Sequence, residues 1–108
     1  MKIWKTNGAG NAFAIFDARA VPFSPTEDQV RQLAEEMKAD QVIALERDAA
    51  RDVFMRIWNK DGGEVSACGN ASRCVGRLLL DETGKDGITI QTEADMLRAF
   101  RAGDGLIT

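Results

Sequence analysis

The residues of this chain best suited to proton-transfer or covalent chemistry are its two cysteines, in the stretch SACGNASRC at positions 66–74. The chain has no histidine that could join two thiols in a metal site. Cys68 and Cys74 are six positions apart, so on a helix their side chains would point about 240° apart. The C-x-x-C spacing of redox pairs is absent. The sequence therefore predicts neither a metal site nor a dithiol redox pair.

The two thiols have different local surroundings. Cys74 falls on the apolar face of a predicted helix, which favours a buried thiol that packs as a small hydrophobic side chain. Cys68 comes just before that helix, where free backbone N–H groups and the positive end of the helix dipole favour a thiolate. Gly69 allows a ligand to approach the backbone and Asn70 offers an amide, so the helix start also suits a carboxylate. Cys68 is thus the candidate reactive residue, in a site that suits chemistry at a carbon next to a carboxylate, and a buried thiol at a strand end is the alternative.

Two glycine-rich turns carry further amide side chains. Asn11 ends the stretch NGAGN at positions 7–11, and Asn59 begins the stretch NKDGG at positions 59–63. Asn-Gly and Asp-Gly are also the commonest residues of ordinary hairpin turns, so a purely structural role is the alternative for both stretches. The first stretch is not a dinucleotide fingerprint, because a strand follows it and the third glycine is missing.

The elements that must position these residues include two helices. Ser24 as N-cap, Pro25 in the first turn and Glu27 in a capping box predict the start of a surface helix. Its apolar face repeats at helical spacing through Val30, Leu33, Ala34 and Met37. A second, more buried helix is predicted from position 70 to 83, ended by Gly84. Its apolar face consists of Ala71, Cys74, Val75, Leu78 and Leu79.

Short strands account for most of the remaining sequence. The strand candidates are 2–6, 12–17, 41–46, 52–59, 87–92, 96–101 and from 106 onward. Turns at 93–95 and 102–105 would fold the last three into a meander. We therefore predict an α+β fold in which a mainly antiparallel, curled sheet surrounds a central helix, with 1–108 as a single domain. The chain stops inside its last strand candidate, so we expect it to continue elsewhere.

The composition limits the classes of partner. Of 108 residues, 44% are hydrophobic and 29% are charged, as in ordinary soluble domains. The net charge of −3 gives no positive field for nucleic acid, so we expect no nucleic-acid role. The first residues lack the apolar segment of a signal peptide, and no apolar run approaches the roughly 20 residues of a membrane span. We expect a cytoplasmic protein without membrane contact, in which both cysteines are free thiols.

Four motifs, taken together, resemble the N-terminal half of the diaminopimelate epimerase family. The family's G-x-G-N-D-F is matched at 8–13 by GAGNAF, and its D-Q pair by Asp40 and Gln41. Its F-N-x-D-G-S-E is matched at 58–64 by WNKDGGE, and its C-G-N-G-x-R-C at 68–74 by CGNASRC. Order and spacing agree along the whole chain. Departures include Asn7, Ala12 and Ala71, where the family usually has His, Asp and Gly.

The resemblance implies an isomerase that converts LL-diaminopimelate to the meso form in lysine and peptidoglycan precursor biosynthesis, without pyridoxal phosphate or any other cofactor. It implies that Cys68 is one of two cysteine acid/bases and that Gly69 and Asn70 hold the α-carboxylate. Asn11, Gln41 and Asn59 would then contact the substrate.

The second cysteine, in the family, comes from a C-terminal domain of the same fold, so this chain would be one half of a pseudo-symmetric pair. We expect the 108 residues alone to be inactive. A racemase of another amino acid and a non-catalytic carboxylate-binding module are the alternatives, and the oligomeric state stays open, a homodimer included.

Overall fold

The computed structural model describes residues 2–8, 10–66, 69–94, 96–102 and 105–107. At 8, 69, 70, 101, 102 and 105–107 it describes the main chain only. Two helices are present in these ranges, α1 (Glu27–Met37) and α2 (Gly69–Thr83). The strands are β1 (Ile3–Gly8), β2 (Asn11–Ala18), β3 (Gln41–Glu46), β4 (Val53–Asn59), β5 (Glu64–Val65), β6 (Gly87–Gln91), β7 (Met96–Ala102) and β8 (Gly105–Ile107).

All the strands belong to one sheet, in the order β1-β2-β3-β4-β6-β7-β8, with β5 paired to β4. Two neighbours, β2 with β3 and β4 with β6, are parallel, and the other pairs are antiparallel. Helix α2 contacts β1, β6, β7 and β8, so the sheet curls around it, while α1 lies against β3. The predicted α+β fold with a curled, mainly antiparallel sheet is confirmed. Its pairing with a second, similar half stays a prediction.

The alternation of side chains along each strand separates the two faces of the sheet. Phe13 and Ile15 of β2 are fully buried in the cluster that includes α2. Ala14 and Phe16, one position out of phase, are buried in the cluster that includes α1. Strands that are apolar on both faces form unbroken apolar runs, as VIAL does at positions 42–45 of β3. The sheet is therefore the middle layer between the two helices.

The start of α1 differs from the prediction. The N-cap is Thr26, not Ser24, and the capping box pairs Thr26 with Gln29 rather than Ser24 with Glu27. The Thr26 hydroxyl accepts a hydrogen bond from the Gln29 N–H at 3.2 Å, and the Gln29 side chain accepts one from the Thr26 N–H at 2.8 Å. Glu27 is the first helical residue, where a negative charge is favourable. Ser24 with Glu27 and Thr26 with Gln29 both have the three-residue spacing of a capping box. The structure forms the second, because Thr26 has the extended backbone of an N-cap (φ −76°, ψ 167°).

Most of the predicted boundaries agree with the structure within two residues. The range of β3 is the predicted one, and α2 begins at Gly69 and ends at Thr83. Gly84 follows with a φ of 72° and donates its N–H to the Leu80 carbonyl at 2.9 Å, so it ends α2 as predicted. Strand β5 was not predicted, because two residues carry no periodic signal. Neither helix in the described ranges has the length and apolar character of a membrane span.

Candidate active site

Three amide side chains named in the sequence analysis lie at one end of the sheet. Asn11 begins β2, Gln41 begins the parallel strand β3, and Asn59 ends the antiparallel strand β4. Each is two positions from a residue of the α2-side cluster, namely Phe13, Ile43 or Ile57, so all three belong to the face that α2 covers. We call Asn11, Gln41, Asn59 and the first turn of α2 the amide end.

Gln41 and Asn59 are direct cross-strand partners. The Gln41 Nε2 donates a hydrogen bond to the Asn59 Oδ1 at 3.0 Å. The Gln41 Oε1 is buried and has no hydrogen-bond partner among the described residues. A buried acceptor without a partner costs about 1–3 kcal/mol, and a donor group of a ligand would remove that cost. The amide end therefore offers a preformed pair of amides with one free acceptor.

The direction of α2 brings its N-terminus to the amide end. Glu82, one residue before the end of α2, accepts hydrogen bonds from Lys2 at 3.3 Å and from Arg19 at 2.9 Å. Lys2 precedes β1 and Arg19 follows β2, so both lie at the end of the sheet opposite Asn11. The first turn of α2 then lies toward the amides, and the first N–H groups of a helix, which have no acceptor within the helix, suit an anion.

The structure describes two of the predicted site residues only in part and a third not at all. Gly69 and Asn70 are the first two residues of α2, but their side chains lie outside the description. Cys68 lies outside the described residues altogether. Their assignment to a carboxylate site and to proton transfer stays a prediction.

Cys74 is less buried than predicted. It is half-buried, packs against the α2-side cluster, and lines a cavity of about 540 Å³ together with Trp4, Thr6 and Asn7. The reason is that β1 is an outer strand of the sheet, so the α2 side chains beside it face a cavity rather than another strand.

The described residues of both glycine-rich stretches lie at hairpin turns, as their structural interpretation predicted. Gly10, with a φ of 85°, lies in the β1–β2 turn. In the β4–β5 turn, the Asn59 carbonyl accepts from the Gly62 N–H at 2.9 Å and the Asn59 N–H donates to the Gly63 carbonyl at 2.9 Å. The main chain of Asn59 thus holds the turn, and its side chain reaches across to Gln41.

Sequence reasoning assigned no role to Asp40, which makes hydrogen bonds on both sides of Gln41. Its Oδ2 accepts from the Ala12 N–H at 2.8 Å and its carbonyl accepts from the Lys60 N–H at 3.1 Å. The signal in the sequence was the place of Asp40 in the D-Q pair, directly before Gln41, and that pair does not reveal the contacts with Ala12 and Lys60.

The opposite end of the sheet carries charges that are already paired. We call Asp17, Arg19, Asp52, Glu82 and Lys85 the ion-pair end. The Arg19 Nε lies 2.8 Å from the Asp17 Oδ1, and this hydrogen bond lowers the pKa of Asp17 below 3.8. The Asp52 Oδ2 accepts from the Thr89 N–H at 2.7 Å, which, with Lys85 at 3.1 Å, lowers the pKa of Asp52 below 3.8.

A second cavity, of about 700 Å³, is lined by Phe23 and Trp58 of the α1-side cluster and by charged residues around them. Two of its arginines already have carboxylate partners. Arg19 pairs with Asp17 and Glu82, and Arg56 pairs with Glu46, Glu64 and Glu93. These guanidinium groups are therefore poorly available to a ligand anion.

Comparison with known proteins agrees with the motifs and the fold. A family model described as diaminopimelate epimerase matches residues 3–105. Similar curated relatives are the diaminopimelate epimerases of Phenylobacterium zucineum, 46% identical over 107 residues, and of Acidiphilium cryptum, 44% identical over 106 residues. These alignments cover 96% and 95% of the chain, which spans only 39% and 38% of the relatives' lengths.

Solved structures share the fold. One is a protein from Pseudomonas aeruginosa described as a predicted epimerase, with a TM-score of 0.70 and 23% identity, covering 96% of this chain and 40% of that one. Another is a phenazine biosynthesis protein of the PhzF family from Bacillus anthracis, with a TM-score of 0.67 and 23% identity, covering 96% and 38%. At this identity the likeness concerns the fold alone, whereas the family match covers nearly the whole chain. The chain belongs to the diaminopimelate epimerase family.

Proposed function

We propose that this chain is the N-terminal domain of an enzyme that converts LL-diaminopimelate to meso-diaminopimelate by moving a proton at one α-carbon. The observation that carries the proposal is the amide end, where Asn11, Gln41 and Asn59 share one face of the sheet with the start of α2. The family match and the relatives' names support this substrate.

The amide end suits a zwitterionic amino acid. Each amide side chain presents both a carbonyl acceptor and N–H donors, so it can meet an ammonium and a carboxylate without adding net charge. The free Gln41 Oε1 is an acceptor for an ammonium group, and the backbone N–H groups of the first turn of α2 are donors for the α-carboxylate. Asn11, Gln41 and Asn59 would orient the substrate, while Gly69 and Asn70 would hold its carboxylate.

The chemistry requires one acid/base on each face of the α-carbon. The Cys68 thiolate takes the α-proton, the electron pair of the C–H bond stays on the carbon as a carbanion stabilised by the adjacent carboxyl group, and a thiol on the opposite face donates a proton. A helix terminus stabilises an anion by about 0.3–2 kcal/mol, whereas enzymes lower barriers by about 8 kcal/mol or more. Preorganised donors and exclusion of water must therefore supply the larger share.

The second thiol would come from a C-terminal domain of the same fold, which covers the amide end and keeps water from the carbanion. Cys74 is unsuited to that role, because it lies on α2 beside β1 and packs against the core. Cys74 also belongs to the same domain as Cys68, whereas the two acid/bases must act from opposite faces of the α-carbon.

The test is to incubate the full-length protein with LL-diaminopimelate in deuterated water. We expect inversion at one α-carbon with uptake of one deuterium there, unaffected by hydroxylamine, which traps pyridoxal phosphate. The 108-residue chain alone should neither invert the substrate nor match the exchange rate of the full-length protein. Exchange of another amino acid but not of diaminopimelate would favour a racemase, and binding without exchange would favour a carboxylate-binding module.

A further inference from the structure

We propose that Asp40 is a positioning residue of the active site, which holds Asn11, Gln41 and Asn59 in one arrangement through its carboxylate and its main chain. The kinetic test of this role rests on the proposed function, whereas the NMR test of the amide arrangement does not depend on any activity.

The first set of contacts joins Asp40 to β2. Ala12 donates its N–H to the Asp40 Oδ2 at 2.8 Å, and its carbonyl accepts from the Asp40 N–H at 2.8 Å. The regular pairing of β2 with β3 begins only at Phe13 and Gln41. The Asp40 carboxylate therefore accepts the Ala12 N–H in place of a backbone carbonyl of a neighbouring strand. This bond fixes the backbone directly after Asn11.

The second contact joins Asp40 to the β4–β5 turn. The Asp40 carbonyl accepts from the Lys60 N–H at 3.1 Å, directly after Asn59. Asn59 itself makes two main-chain bonds within that turn, to Gly62 and Gly63. Asp40 thus bonds Ala12, which follows Asn11, and Lys60, which follows Asn59, and it directly precedes Gln41 in the chain.

The end of α1 determines where Asp40 lies. Lys38 takes a left-handed conformation with a φ of 53°, and the Ala39 N–H donates to the Ala34 carbonyl at 2.9 Å. Ala39 is 5% exposed and belongs to the α1-side cluster. The chain is therefore anchored immediately before Asp40, so the carboxylate is presented from a fixed point rather than from a loose loop.

The consequence concerns preorganisation. An error of about 1 Å in the position of a binding group can cost about 10²-fold in rate. Without the Asp40 carboxylate, Ala12 loses its side-chain acceptor, and the start of β2 is held only by the Asp40 N–H and by its pairing with β1. Its position relative to Gln41 and Asn59 is then less well fixed. The three amides would then no longer present the substrate to the base in a single orientation.

The experiment compares Asp40→Ala, Asp40→Asn and Asp52→Ala in the full-length protein. Asp40→Ala should lower kcat/KM about 10–100-fold, with a higher KM and a lower kcat per folded molecule. Asp40→Asn, which keeps a carbonyl oxygen for the Ala12 N–H, should restore most of the activity. Asp52→Ala is the matched control, because Asp52 also accepts a hydrogen bond from a strand N–H, that of Thr89, but at the ion-pair end. It should leave kcat and KM unchanged.

The structural measurement follows the NMR signals of the side-chain NH2 groups of Gln41 and Asn59 without substrate. Asp40→Ala should shift or broaden them, Asp40→Asn should restore them, and Asp52→Ala should leave them in place. If Asp40→Ala does not fold, Asp40→Glu replaces it, with the carboxylate moved by one methylene and the same losses expected. Unchanged kinetics and NH2 signals in the folded Asp40 variants would overturn the proposal, as would equal damage from Asp40→Asn or from Asp52→Ala. Absence of epimerase activity in the wild type would refute the proposed function, and the NH2 signals would still decide the role of Asp40.

Discussion

The amide end and the ion-pair end of the sheet are built from different kinds of side chain. At the ion-pair end, Arg19 bonds both Asp17 and Glu82 within 3.0 Å, and Asp52 bonds Thr89 and Lys85. At the amide end, the side chains of Asn11, Gln41 and Asn59 are uncharged, and the buried Gln41 Oε1 has no partner in the described part of the chain. One end satisfies its own polar groups and the other leaves an acceptor free for a ligand.

This difference separates stability from function along one helix. The last turns of α2 are held by Lys2 and Arg19 through Glu82, whereas its first turn lies toward the amides. Changes at the ion-pair end should therefore alter the free energy of unfolding with little effect on catalysis. Changes to the amide side chains should lower catalysis with little effect on the free energy of unfolding.

The largest expected effect comes from Cys68→Ser in the full-length protein. A serine hydroxyl is nearly isosteric with the thiol but a far weaker base, so turnover should fall by at least the 10²–10⁴-fold that general acid–base catalysis typically contributes. The thermal unfolding midpoint should stay near that of the wild type. Epimerisation by Cys68→Ser at the wild-type rate would refute the role of Cys68.

The counterpart to that variant is Leu79→Ala, in the buried face of α2. Leu79 is 2% exposed and belongs to the α2-side cluster, so the change should cost about 2–5 kcal/mol in the free energy of unfolding. Urea unfolding measures the loss, and kcat per folded molecule should remain near the wild-type value. A loss of kcat in fully folded enzyme would show that core packing and catalysis are not separable here.

Two glycines give a smaller, matched contrast. Gly62 and Gly84 both have positive φ, of 95° and 72°. A Cβ at Gly62 would come within 2.6 Å of the Glu27 carbonyl oxygen, while a Cβ at Gly84 would meet nothing within 4 Å. Gly84→Ala should cost about 1–2 kcal/mol for the left-handed backbone, and Gly62→Ala should cost more. Equal losses of stability in urea unfolding would contradict the crowding at Gly62.

Gly62→Ala should also affect catalysis, since the Gly62 N–H donates to the carbonyl of Asn59. A displaced turn would move Asn59 relative to Gln41 and raise KM. Gly84→Ala, at the other end of α2, should leave KM unchanged.

The smallest expected effect is a change in acid stability. Hydrogen bonds from Thr89 and Lys85 lower the pKa of Asp52, so its contribution to stability is complete above the unfolded value near 3.8 and is lost as the pH falls through the lower folded pKa. Asp52→Asn should therefore flatten the decline in the free energy of unfolding below about pH 5, by less than about 1 kcal/mol for a partly exposed pair. Gln41→Met should leave that decline unchanged, because an amide does not titrate. A wild-type acid slope in Asp52→Asn would remove the ion-pair end's role in stability.

Local patterns in the sequence were sufficient to predict most of the strands and both helices. The unbroken apolar run of β3 gave both of its bounds, and the apolar face of α2 with Gly84 after it gave the end of that helix. Two capping boxes competed at the start of α1, Ser24 with Glu27 and Thr26 with Gln29, and the sequence pattern did not decide between them. The extended backbone of Thr26 does.

The relations between distant residues required the structure. The sequence named Asn11, Gln41 and Asn59 through a family resemblance, but their common face depends on the parallel pairing of β2 with β3. Asp40 bonds Ala12 across 28 positions, and no periodicity reports such a contact. The exposure of Cys74 likewise depends on β1 being an outer strand, which its own residues do not reveal.

The most direct test of the account is where the substrate binds. Full-length Cys68→Ser, which should bind without turnover, can be titrated with meso-diaminopimelate and followed by NMR. We expect saturable shifts in the side-chain NH2 signals of Asn11, Gln41 and Asn59 and in the backbone N–H signals of the first turn of α2, with the Thr89 N–H at the ion-pair end unmoved. Saturable shifts confined to the ion-pair end, or to the cavity around Phe23 and Trp58, would contradict the assignment of the amide end as the substrate site.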